Sequence, residues 1–162
     1  MNATKSNNDT KSTADREMVM TRAFDAPRER VFKAWIDSKH VAQWWGPYGF
    51  TNPLCELDVR PGGTIRIHMR GPDGTVYPMT GVYQEIVDPA RLVFTSAALD
   101  EKGQPLFEVL QTVTFAKDGG KTTLTWQAIV ETETAEAAPY LAGMEEGCKQ
   151  TLDRLAAYLS KL

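Results

Sequence analysis

Apolar and polar positions divide the chain into a polar start, one strand, two short helices, a strand-rich block and a final amphipathic helix. Residues 1–16 carry only Met1, Ala3 and Ala14 as apolar side chains. Such a stretch cannot bury enough surface to offset the entropy of ordering, and it reads as a disordered polar tail. From Glu17 the pattern alternates. Val19, Thr21 and Ala23 face one way, while Met18, Met20, Arg22 and Phe24 face the other, which predicts a strand ending at Asp25. Asp25-Ala26-Pro27 predicts a helix start, with Asp25 as the capping side chain. Val31, Phe32, Trp35 and Ile36 follow at helical spacing. Asp37-Ser38 ends that helix, and Ser38 is placed to cap a second whose apolar face is Val41, Trp44 and Trp45. Gly46-Pro47 stops it.

Six further strands are predicted, at Leu54–Val59, Thr64–Arg70, Val76–Val87, Arg91–Ala97, Leu106–Lys117 and Lys121–Glu131. Gly, Pro and Asp clusters separate them as turns. Connections this short predict an antiparallel meander. Gly81 marks a bend or bulge within its strand. The last segment is read as one long helix with Pro139 near its start. Tyr140, Met144, Cys148, Thr151, Leu152, Leu155 and Leu159 recur every three or four residues. Its opposite face carries Glu145, Lys149, Gln150, Asp153, Arg154 and Lys161. The fold class expected is α+β: a curved seven-stranded antiparallel sheet wrapped around the long C-terminal helix, in a single domain over 17–162. One helix cannot fill such a curl at its wide end, so the two short helices close the gap and a cavity is expected between the layers.

Parity assigns the inward side chains. Ile65, Ile67 and Met69 point in from one strand, and Tyr77, Met79 and Tyr83 from the next. Leu92, Phe94 and Ser96 follow, then Phe107, Val109, Gln111, Val113 and Phe115, then Leu124, Trp126, Ala128 and Val130. Most are apolar, with polar tips on Tyr77, Tyr83, Trp126 and Gln111. Small-molecule pockets have that make-up. The other reading is a filled core whose tips bond to backbone or water. The candidate walls of the wide end add Trp44, Trp45, Tyr140, Met144 and Cys148 to this inward set.

Composition narrows the chemistry. The chain has 162 residues, 18 Lys and Arg against 21 Asp and Glu, and a net charge of −3, so no basic excess exists to neutralise a phosphate backbone. No apolar run approaches the ~20 residues of a membrane span, and no signal-peptide pattern is seen. Two isolated cysteines, Cys55 and Cys148, fit a reduced cytoplasmic protein. His40 and His68 are the only histidines, which leaves no metal cluster and no Ser/His/Asp arrangement. No G-x-G-x-x-G opens a helix, so no dinucleotide or other cofactor is expected. Cys148 lies mid-helix among apolar neighbours and reads as inert. Glu85 and Glu108 read as solvated strand carboxylates. Glu131, Glu133 and Glu136 suit the positive start of the last helix.

Six stretches, taken in order, carry a resemblance: residues 25–35, Gln43-Trp44-Trp45-Gly46-Pro47, Pro61-Gly62-Gly63, residues 69–74, residues 91–95 and Met144-Glu145-Glu146-Gly147. Over 17–162 the chain resembles the bacterial AHSA1-like proteins of the SRPBCC superfamily, which includes START and Bet v 1. The resemblance implies the helix-grip fold with a hydrophobic cavity. Cys148 and Ser96 stand where the family commonly carries Trp, which implies a cavity either roomier than usual or refilled by neighbours such as Met144 and Trp126. Three functions follow as expectations. The first is binding of a small hydrophobic or aromatic molecule, gated by Trp44, Trp45 and nearby loops. The second is an enzyme of the polyketide cyclase or aromatase type, with Gln111, Tyr77, Tyr83 and Cys148 as its candidate groups and no clear base among them. The third, ranked lowest, is an Hsp90-type chaperone-interacting module. Homodimerisation is left open.

Overall fold

The computed structural model describes residues 17–162; the predicted tail lies outside the described residues. The strands are β1 (Glu17–Phe24), β2 (Thr51–Leu57), β3 (Thr64–Arg70), β4 (Val76–Val87), β5 (Arg91–Leu99), β6 (Pro105–Asp118) and β7 (Lys121–Glu133). The helices are α1 (Arg28–Ile36), α2 (Ser38–Trp44), α3 (Ala138–Ala142) and α4 (Met144–Leu159). One antiparallel sheet runs in the order β1-β7-β6-β5-β4-β3-β2. Consecutive strands pair from β2 to β7, because their connections are turns. β1 sits beside β7 at one edge and β2 forms the other, so α1 and α2 must span the sheet between them.

Local details depart from expectation. No side chain caps α1; Pro27 occupies that position, and Asp25 does not cap. The cap of α2 is Asp37, not Ser38: its Oδ1 accepts the Lys39 N–H at 2.9 Å. Asp37 has the extended backbone of a cap, whereas Ser38 is already the first helical residue. β2 begins at Thr51, with a register shift before Leu54, and tolerates Pro53 because it is an edge strand. The expected single last helix is two. A 3-10 turn (Ala135–Ala137) leads into α3, and the chain turns at Gly143 before α4.

Gly81 is not the bulge. The β4–β5 register slips between Tyr83 and Glu85. Gly81 serves a closer approach: a Cβ there would lie 1.9 Å from the Thr95 carbonyl oxygen. The slip keeps Gln84 and Glu85 outside and brings Ile86 against the core. Glu85 is then free to pair with Arg91 at 2.8 Å on the surface.

The inward parity otherwise describes the core. Ile65, Ile67, Leu92, Phe94, Val109, Val113, Phe115, Leu124, Trp126, Ala128 and Val130 are buried. Only the C-terminal half of α4 is gripped tightly: Thr151, Leu152, Leu155 and Leu159 are buried, whereas Met144 and Cys148 are half-buried. Full burial of Leu152 and Leu155 contributes about 1.5–3 kcal/mol each. The N-terminal half of α4, with α3, covers the wide end.

Candidate functional site

Tryptophans from three elements meet inside the wide end. Trp35 of α1 packs edge-on against Trp44 at 4.9 Å, Trp126 at 5.2 Å, Trp45 at 6.0 Å and Phe115 at 6.2 Å between ring centres. The helical spacing of α1 and α2 turns these rings toward β7. Trp44 is fully buried, and its Nε1–H donates to the Ala34 carbonyl at 3.1 Å. The Trp126 Nε1–H donates to Gln111 Oε1 at 2.5 Å, and Gln111 Nε2 donates to Ser96 Oγ at 2.6 Å. All three residues of that chain are buried. The sheet register explains it: Gln111 lies opposite Ala128 and Phe94, so each bond is a diagonal across one strand pair. Trp35 differs, because its buried Nε1 has no partner.

Beside Trp35 lies a cavity of about 20 Å³. Trp45, Met79, Tyr83 and Phe94, all expected site residues, form part of its wall. Trp35, Val41, Leu57, Ile65, Ile67 and Leu92 complete it. A volume of that size holds about one water or a methyl group. Ser96 and Cys148 are not among the walls, so this space lies on the α1–α2 side of the interior and not beside those two small residues. The Ser96 position is taken up by the Gln111 amide.

The other expected residues form the cover of the wide end. Tyr140 of α3 touches Tyr77 at 6.5 Å and Phe107 at 5.9 Å, and Tyr77 touches Phe50 at 5.9 Å. Tyr140 is exposed, while Met69, Tyr77, Phe107, Met144 and Cys148 are half-buried. Trp44 stands behind the cavity wall as core, away from this cover.

Arg154, expected on the solvent face of the last helix, instead reaches the end of α2. Its Nη1 lies 2.9, 3.0 and 3.1 Å from the carbonyls of Trp45, Gly46 and Pro47, and its Nη2 lies 3.2 Å from that of Gln43. These include the carbonyls a helix C-terminus leaves unused. Asn52 Nδ2 adds bonds to Ala42 and Trp45. Tyr48 is held as well, its N–H by Gln150 and its hydroxyl by Asp153, which also pairs with Arg22 of β1 at 2.8 Å. The turn after Trp45 is therefore pinned to α4. His40 makes a long-range bond, its Nδ1 lying 2.5 Å from Tyr158 Oη.

Burial, aided by the charge of Glu145, pushes the Cys148 thiol up to about 12. Burial alone takes Cys55 to about 11. Tyr83 is raised by burial first and by Cys55 second. None of the three is ionised near neutral pH. Among the described residues no three His, Cys, Asp or Glu side chains gather as a metal site, and no helix is long and apolar enough to cross a membrane.

Residues 25–160 match the AHSA1 family, described as Activator of Hsp90 ATPase homolog 1-like protein. The chain belongs to that family. AHSA1-type structures share its helix-grip architecture. A protein from Arthrobacter aurescens, solved by NMR, is 28% identical with a TM-score of 0.81, covering 93% of this chain and 90% of its own. A Rhizobium leguminosarum protein is 27% identical with a TM-score of 0.71, over 90% of this chain and 95% of its own. The AHSA1 protein of Silicibacter pomeroyi, at 23% identity and a TM-score of 0.75 over 89% of this chain and 97% of its own, shares the fold. Comparison with curated proteins gave no match.

Proposed function

We propose that this AHSA1 protein binds a small hydrophobic or aromatic molecule between its sheet and its helices. The observation that carries this reading is the cavity of about 20 Å³ walled by Trp35, Trp45, Met79, Tyr83 and Phe94. Pockets for drug-sized ligands span roughly 300–1,000 Å³, so the resting cavity is a nucleus that must enlarge. The cover supports a route for enlargement. α3 has no buried residue, and Tyr140 meets the sheet through ring contacts worth about 0.5–1.5 kcal/mol each. The pinned turn at Trp45–Pro47 is far harder to move. Displacing α3 about Gly143 uncovers Tyr77 and Phe107 at the wide end while the C-terminal half of α4 stays gripped; no residue of α3 or α4 lines the cavity, so enlargement toward this cover also displaces core side chains.

Catalysis of the cyclase or aromatase type draws less support. Cys148 and Tyr83 are held protonated by burial, and Gln111 is a neutral amide spent on two neighbours.

Titration of tryptophan fluorescence with a panel of apolar aromatics tests the reading. Saturable changes, with a negative heat-capacity change by calorimetry, are expected. A panel that yields no saturable signal contradicts it.

A further inference from the structure

The outer face of the sheet, turned away from the helices, carries an open hollow of about 330 Å³ over β3, β4, β5 and β6. Its walls include Arg66, Thr80, Val82, Thr95, Ala97 and Glu108. The strand register sets four of these in one row across the sheet: Arg66 stands opposite Thr80, Thr80 opposite Ala97, and Ala97 opposite Glu108. Strands lie about 4.8 Å apart, so the two charged residues are roughly 14 Å from each other, with Thr80 and Ala97 midway. Beside the middle of that row sit Val82 and Thr95, tied by the Val82 N–H, which donates to Thr95 Oγ1 at 3.2 Å. Val82 is 39% exposed, and Arg66 and Glu108 are exposed. Arg66 holds Glu56 at 2.9 Å through one nitrogen, and a guanidinium has further N–H donors to give. Glu108 has no ion-pair partner among the described residues.

We propose that this face is a homodimer interface, on which a second copy packs about a two-fold axis running along the strands between β4 and β5. Such an axis exchanges the two sides of the row and keeps the row in place. Arg66 then meets the partner's Glu108, and Glu108 meets the partner's Arg66, the reciprocity that a two-fold interface requires. Thr80 lies over the partner's Ala97, and Val82 over the partner's Thr95. An axis running across the strands would set Arg66 on Arg66 and Glu108 on Glu108, so charge selects the first arrangement. Side-chain length agrees with it. The helices fill the inner face, so the outer face is convex, and two copies touch along a strip and diverge on either side. Small residues occupy the strip, and the long Arg66 and Glu108 side chains stand where the gap widens. One positive and one negative end give the row no preference for a basic or an acidic foreign partner, whereas they complement a second copy of themselves.

Sedimentation equilibrium of the full chain at low salt, from about 5 μM to about 1 mM, is expected to show a monomer–dimer equilibrium, as suits a small interface. Glu108→Arg sets Arg against Arg at both ends of the row and is expected to raise the dimer dissociation constant about tenfold or more; Arg66→Glu is expected to do the same with Glu against Glu. The double variant Arg66→Glu with Glu108→Arg rebuilds both pairs with their signs exchanged and is expected to return the constant to within about threefold of the natural protein's. Both positions are exposed, so the variants should keep the thermal midpoint of the natural chain, which separates lost association from lost folding. A chain that stays monomeric throughout overturns the proposal. A dimer that ignores Glu108→Arg, or that weakens without recovery in the double variant, overturns it as well. A monomer whose Val82 and Thr95 amide resonances move on addition of tetralysine overturns it too, and gives the face to a basic foreign chain.

Discussion

Arg154 satisfies carbonyls that α2 cannot use itself, and it does so from a helix whose polar face looks destined for solvent. Arg154→Met keeps the aliphatic stem and removes the donors. It is expected to cost about 1.5–3 kcal/mol in urea unfolding, the range for bonds to a charged group. A change within about 0.5 kcal/mol would show the clamp to be idle. Gln111 is the other residue whose partners depend on it. Gln111→Leu strands the buried Trp126 N–H and should cost about 1–3 kcal/mol. The double variant Gln111→Leu with Trp126→Phe should cost less than the two single changes added, with a coupling of about 0.5–3 kcal/mol. Strict additivity would mean the two side chains do not share a bond.

Among the elements, α3 buries no residue, whereas the middle of β4 lies tight against β5 at Gly81. Amides of α3 should exchange with solvent much faster than those of α4 around Leu152 and Leu155, since α3 buries nothing. Tyr140→Ala should speed ligand association while moving the thermal midpoint little. Equal protection of α3 and the end of α4 would remove the proposed access route. In β4, Gly81→Ala forces a methyl onto the Thr95 carbonyl and should cost about 1–3 kcal/mol or prevent folding. The strands themselves were readable because alternation survives burial on one face: Ile65, Phe94, Val113 and Trp126 all point in as parity requires. What parity could not reveal is the meeting of distant segments. Arg154 is polar at a polar position, and nothing local says that the end of α2 lies against it. The missing acceptor of Trp35 is equally silent, because a tryptophan at helical spacing reads as core with or without a partner. The division of the last helix was masked because Tyr140 and Met144 continue the periodicity across Gly143.

The molecule as a whole stores protons that its unfolded chain would release. Cys148 is held up to about 12, Cys55 up to about 11, and Tyr83 above its usual range, each chiefly by burial. Thiols in an unfolded chain ionise near ~8.5. Below that pH both states hold the proton and the contribution is complete; above it the unfolded chain gains by ionising, and the contribution is lost as pH rises through about 11 and 12. Urea midpoints should therefore decline on the alkaline side, and Cys55→Ala with Cys148→Ala should flatten the decline. Parallel profiles for both proteins would place the alkaline loss elsewhere. The same burial makes the folded thiols slow toward alkylating reagents at pH 8 and fast once unfolded.

The packed end and the loosely covered end belong to one design: α4 anchors the sheet through Leu152 and Leu155, and the proposed access route lies under α3. Native mass spectrometry of the protein purified from its own host, under conditions that preserve non-covalent contacts, tests this most directly. A one-to-one adduct of a small hydrophobic or aromatic molecule, lost on denaturation, is the predicted result. Only the bare chain, at the gentlest desolvation and from freshly lysed cells, would contradict it.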